Sequence, residues 1–160
     1  MEDRAGASPE TARLVARLGQ GSIGRALAFL PGEDGASPLE KIRSTARGWL
    51  EAALHSSAAA RYTAAHEQRP AGARGAFGDT LDFLALWLRD LAAVAAGAEA
   101  EVVDVDELPR LRSLARSVRP DQLPSAIQRV EEARDGGRIN ANPQLTLATL
   151  LDDLANSLRD

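Results

Sequence analysis

A chain of 160 residues, 44% hydrophobic and 26% charged, is long enough to bury a real core, and with aromatics at 4% that core must be built from Leu, Ala, Val and Ile. A net charge of −4 excludes a global basic field for duplex DNA or an anionic membrane, so any link to DNA is expected to be indirect, through partner proteins. Cysteine is absent, which removes disulfides, thiolate catalysis and Cys-type zinc sites together. Without an apolar signal core at the start or a run of about 18 apolar residues, a soluble, cytoplasmic protein with no membrane contact is expected.

Ser8-Pro9-Glu10 predicts a first helix with Ser8 as cap, an apolar stripe of Leu14, Val15 and Leu18, and a stop at Gly19. A short second helix runs from Ser22 through Leu27 to Leu30. The helix-hostile run 31–36 is then the candidate boundary between two units. Ser37-Pro38-Leu39-Glu40 is a capping box that opens a helix through Ile42, Ala46, Trp49, Leu50, Ala53 and Leu54, reaching as far as Tyr62. A loop follows at 68–75.

The longest helix comes next, with Phe77, Leu81, Leu84, Leu88, Leu91 and Ala95 on one seam and Phe83, Trp87 and Val94 beside it. So wide an apolar face predicts burial against more than one neighbour. The run 101–105 is the only strand-like stretch, too short and isolated for a sheet, and reads as a connector. Helices around Glu107 to Ser117 and Pro120 to Asp135 follow, the latter ending at Gly136-Gly137. The last helix, Asn142 to Leu158, has Asn142 as cap, Pro143 at its first position and Leu147, Leu150, Leu151, Leu154 and Leu158 along one face. Every useful apolar pattern has a period near 3.6, so the fold class is all-α, a helical bundle.

Few residues offer chemistry. Gly19-Gln20-Gly21-Ser22-Ile23-Gly24 fits the dinucleotide fingerprint, but that turn needs a strand before it and a βαβ unit around it, and the preceding period is helical. Arg25, a cation in the first turn of a helix, opposes the helix dipole; it is either a solvated arginine or, with the N–H groups near Ser22, part of a phosphate site. The sole lysine, Lys41, has no glycines placed before it as a phosphate-cradling loop demands, so the chain is not expected to hydrolyse ATP, to be an enzyme by itself, or to hold a cofactor. His55 and His66 lack zinc spacing, and adjacent Asp152 and Asp153 point apart on one helix, which favours a solvated face over a metal. Arg110, Arg112, Arg116 and Arg119 lack interleaved aromatics for base stacking and read as a partner-facing group.

Two segments carry a resemblance. Gly21-Ser22-Ile23-Gly24-Arg25-Ala26, followed downstream by Asn140-Ala141-Asn142-Pro143-Gln144-Leu145 at the start of a leucine-rich final helix, resembles the delta-prime subunit of the bacterial DNA polymerase III clamp loader, an AAA+ family member. The resemblance implies a remnant of the helical lid domain over 1–36 and an all-α collar domain over 37–160, within a non-catalytic subunit of the DNA replication machinery. It implies that Arg25, with Ser22 and Gly24, sits where the second-sensor arginine of clamp-loader ATPases lies, and that Asn140, Asn142, Pro143, Gln144 and Leu145 form the collar-helix motif. It further implies partners among the delta and gamma/tau-type subunits, with Gln144 and Arg159 placed to meet them, and DNA reached only through the assembled complex. The same amphipathic helices would serve a free-standing interaction adaptor unrelated to replication.

Overall fold

The computed structural model describes residues 8–18, 21–30, 38–55, 57–68, 74–138 and 142–159, and among these every regular element is helical. In chain order the α-helices are α1 (Pro9–Leu18), α2 (Ile23–Ala28), α3 (Pro38–Leu54), α4 (Ala58–His66), α5 (Arg74–Ala95), α6 (Leu108–Leu114), α7 (Leu123–Arg138) and α8 (Pro143–Leu158), with short 3-10 turns at Glu99–Glu101, Val105–Glu107 and Pro120–Gln122.

Four long helices close a ring: α3 packs on α5, α5 on α7, α7 on α8 and α8 back on α3. Their inward faces supply Leu50, Ala53, Leu81, Leu84, Leu88, Leu91, Leu123, Ala126, Leu147, Leu151, Leu154 and Leu158, all fully buried, and the core is not purely aliphatic as expected, because Phe29, Trp49, Phe77, Phe83 and Trp87 are buried in it too. The wide face of α5 is used on two sides, against α3 and against α7. Outside this ring, α4 lies on α8 and α3, α6 lies on α5, and α1 packs on α2 while touching α5.

The local signals account for most helix ends. Ser8 Oγ accepts from the Thr11 N–H at 3.1 Å, and Asn142 Oδ1 accepts from the Gln144 N–H at 3.0 Å ahead of Pro143 at the first position. Asn142→Ala should therefore lower stability by about 1 kcal/mol, read as a drop in the urea midpoint at unchanged slope. Gly97, at φ 74°, ends α5 in a Schellman arrangement in which the Ala98 N–H reaches back to the Ala93 carbonyl at 2.8 Å. The capping box at Ser37, the stop at Gly19, the boundary run 31–36 and the centre of the loop, 69–73, lie outside the described residues.

Three expectations need correction. The helix opened by Pro38 does not reach Tyr62: it stops at Leu54, the Ser57 N–H bonds His55 Nδ1 at 3.0 Å, and α4 starts afresh so that it can lie along α8. Helix α6 is shorter than foreseen, ending at Leu114 in a turn that brings Val118 into an isolated bridge with Arg159. Gly136-Gly137 does not end α7, which continues to Arg138. Glycine costs roughly 1 kcal/mol in a helix interior, and the packing of Val130 and the 2.6 Å pair between Arg134 and Asp82 on α5 hold the last turns regardless.

Candidate interaction surface

A polar seam joins α3 to the connector that follows α5. Asp90, buried on α5, accepts the Val103 and Asp104 N–H groups at 3.0 and 2.9 Å, which fixes the connector without a strand. Asp104, only 1% exposed, then accepts from the Trp87 indole at 3.0 Å and from the Arg43 guanidinium at 2.7 Å. Burial pushes the Asp104 carboxyl above the usual carboxylate range, although the Trp87 indole and then Arg43 pull it down. Further along α3, Arg47 meets Glu107 at 3.3 Å, and Glu51 pairs with Arg110. This ladder is architecture: it positions α3, whose opposite edge is free to face outward.

That outward edge forms the floor of an open groove of about 950 Å³, with α4 as one wall and the first turns of α5 as the other. Ile42, Trp49 and Phe29 give it an apolar base, and Thr45, Gly48 and Ala52 keep the floor low. The Thr45 and Thr80 hydroxyls bond back to the Lys41 and Ala76 carbonyls at 2.8 and 2.7 Å, so neither demands a partner in the groove. Lys41 marks the rim at one place, and Glu67 and Asp79 stand on the α4 and α5 sides.

The residues singled out in the sequence are distributed as follows. Ser22 and Gly24 are exposed at the start of α2, which packs on α1; Arg25 lies in α2, with its side chain outside the described residues. Asn140 is also outside them. Asn142, Pro143 and Gln144 come together as the capped start of α8, and Gln144 Nε2 donates to the His66 carbonyl at 2.9 Å, tying that start to the end of α4. Arg159 likewise donates to the His55 carbonyl at 3.3 Å. Gln144 and Arg159 thus bond within the chain. Leu145 instead is 67% exposed, and Tyr62, the single tyrosine, is 57% exposed on the neighbouring α4.

Other charged candidates are also engaged internally. Asp152 and Asp153 do point apart, as expected, yet each holds another helix: Arg61 of α4 bonds Asp152 at 2.5 Å and Arg129 of α7 bonds Asp153 at 3.1 Å, so the solvated-face reading is replaced by two interhelical pairs. In the arginine group, Arg110 pairs with Glu51 and Glu107, Arg112 with Glu99, and Arg119 with Asp121, while Arg116 is exposed. Among the described residues no cluster of three or more His, Asp or Glu could hold a metal, and no helix is long and apolar enough to cross a membrane.

Among the described residues the structure is an all-α bundle: a closed ring of four helices tied by interhelical ion pairs and bordered by a groove with an apolar base. The family described as DNA polymerase III, delta subunit, C terminal, matches over residues 45–155, and the chain belongs to that family. The match begins inside α3 and ends inside α8, so it spans the ring and both walls of the groove. No curated protein and no solved structure matches the chain.

Proposed function

We propose that this chain is the C-terminal part of a delta-prime-like, non-catalytic subunit of the DNA polymerase III clamp loader and that its work is subunit association. The clamp-loader part of the reading is carried by the match, over 45–155 on an all-α ring, to the C-terminal region of the delta subunit. Two motifs support the delta-prime form: Gly21-Ser22-Ile23-Gly24-Arg25-Ala26 and the Asn140 to Leu145 start of the last helix. On this reading residues 1–36 are a lid-domain remnant and 37–160 the collar, the sector that packs beside other collars to hold the loader's ATPase domains in order. Arg25 then occupies the second-sensor position, and DNA is met only through the complex.

The test is assembly. Mixed with the delta and gamma/tau-type subunits from the same source, the 160-residue chain should co-elute on gel filtration as a larger species. Failure to join them, under conditions where those subunits assemble with a full-length delta-prime, would move the reading to a free-standing helical adaptor.

A further inference from the structure

We infer that the segment 98–116, made of the first two 3-10 turns and α6, is a strap that lifts as one unit while the four-helix ring stays folded, with the Asp90 and Asp104 centre as its latch. Such an opening is independent of the association role proposed above.

The strap is closed on itself. Its turns are bonded internally, from the Glu101 N–H to the Ala98 carbonyl at 3.0 Å, from the Val102 N–H to the Glu99 carbonyl at 3.2 Å and from the Glu107 N–H to the Asp104 carbonyl at 3.1 Å. Arg112 of α6 donates twice to Glu99, at 2.8 and 2.5 Å, which braces the end of the strap against its beginning. Among the described residues no backbone-to-backbone hydrogen bond joins 99–116 to the ring. The two ends are marked as well. Gly97, at φ 74°, holds a left-handed conformation that glycine takes without strain, and past the strap the Arg119 N–H bonds the Leu158 carbonyl at 2.9 Å, which pins the chain back to α8.

What holds the strap down is mostly charge. It packs on α5, but of its apolar side chains only Val102 and Leu111 are buried. Toward α3 its links are ion pairs: Asp104 and Asp106 with Arg43 at 2.7 and 3.7 Å, Glu107 with Arg47 at 3.3 Å, and Arg110 with Glu51. Asp90 and Asp104 are 2% and 1% exposed, so each has given up hydration that it recovers when water enters. A latch of this kind releases at a lower cost than a well-packed apolar face. The ring, by contrast, is closed by buried leucines from four helices, and segments with few buried apolar contacts open ahead of global unfolding. Opening separates Arg43, Arg47 and Glu51 of α3 from their strap partners and admits water to the Trp87 indole.

Native-state hydrogen exchange on the whole chain in increasing urea is the test. The strap probes are the Val103 and Asp104 amides, which donate to Asp90, and the Trp87 indole N–H, which donates to Asp104. The Leu88 amide in α5 and the Leu151 amide in α8 report the ring. The three strap probes should share one protection factor, lower than that of the ring amides by about tenfold or more, with a shallower dependence on urea because a local opening exposes less surface. Leu151→Val, a change in the ring alone, should then speed exchange at Leu88 and leave the three probes unchanged, since the ring is equally intact in the closed and the lifted forms. Probes that follow the ring's rate and urea slope, or that accelerate together with Leu88 in Leu151→Val, would show that the strap comes away only in global unfolding and would overturn the inference. Fast exchange at the two amides with the indole still protected would overturn it too, because that pattern is fraying of the connector and not the lifting of a unit.

Discussion

Replacing Trp87 with alanine should produce the largest loss of stability of any single substitution in the ring, about 3–5 kcal/mol. Trp87 is fully buried on α5, stacks obliquely with Phe83 at a ring-centroid distance of 6.3 Å, and donates its indole N–H to Asp104. Alanine empties that volume and removes the donor at once. Trp87→Phe separates the two effects, because it keeps most of the apolar volume and leaves Asp104 short of one donor, for an expected cost of about 1–3 kcal/mol. The other tryptophan, Trp49, is also buried and remains as the fluorescence reporter for urea unfolding in both variants. Losses on the scale quoted are a large share of the stability of a single domain. An alanine variant within half a kilocalorie of the wild type would mean that the inner face of α5 is misassigned.

The ring itself was legible because its signals are local and repeated. The spacing Leu81, Leu84, Leu88, Leu91 and the spacing Leu147, Leu150, Leu151, Leu154 each mark one buried helical face, and both faces are buried. Asn142-Pro143 announces the start of α8 for the same reason: cap and preset φ act within three residues. Helix ends set by tertiary contact were not legible. Nothing within the run 55–57 says that α4 must break away to reach α8, and two arginines distant from one another in sequence, Arg61 and Arg159, both donate to the His55 carbonyl. Gly136-Gly137 reads as a stop from propensity alone, and the packing of α7 on α5 overrides it.

The groove beside α3 was legible only in part. Its floor on α3 consists of Thr45, Gly48 and Ala52, residues whose smallness reads as neutral in a sequence but as a low floor once α4 and α5 stand beside them. Leu145 falls in a leucine-rich helix yet points outward, since it lies two residues before the buried Leu147 and so off the apolar stripe. The Asp90 and Asp104 centre had one local trace, an acid set among Trp87, Leu88 and Leu91 in an otherwise apolar seam. A buried acid predicts a partner, but the partners, Arg43 and the amides of the connector, sit on other parts of the chain.

Asp104→Ala should cost about 2–4 kcal/mol, because it strands two donors in a dry site. Arg43 is only 15% exposed, and its Nε is already buried without a hydrogen-bond partner among the described residues. The loss is smaller than for a fully buried pair because Glu40 at 3.4 Å and Asp106 at 3.7 Å still face the guanidinium. Asp104→Asn keeps one acceptor and should cost less, and it exposes the sign of the pH dependence. Burial raises the Asp104 carboxyl, so the folded chain takes up its proton at a pH where the unfolded chain, near the ordinary value of about 3.9, has already released it. As pH rises through the window between those two values, the wild type should therefore lose stability relative to Asp104→Asn, and above the window the difference should level off. Glu99, held by Arg112, and Asp121, held by Gln122, are shifted down and act with the opposite sign, but they are common to both proteins and drop out of the difference. Paired urea midpoints collected from acid to neutral pH measure that difference directly. A wild type that instead gains on the asparagine variant as pH rises would show that the attraction of Arg43 and the Trp87 hydrogen bond outweighs burial at this site, and that the charged carboxylate is the form the fold prefers.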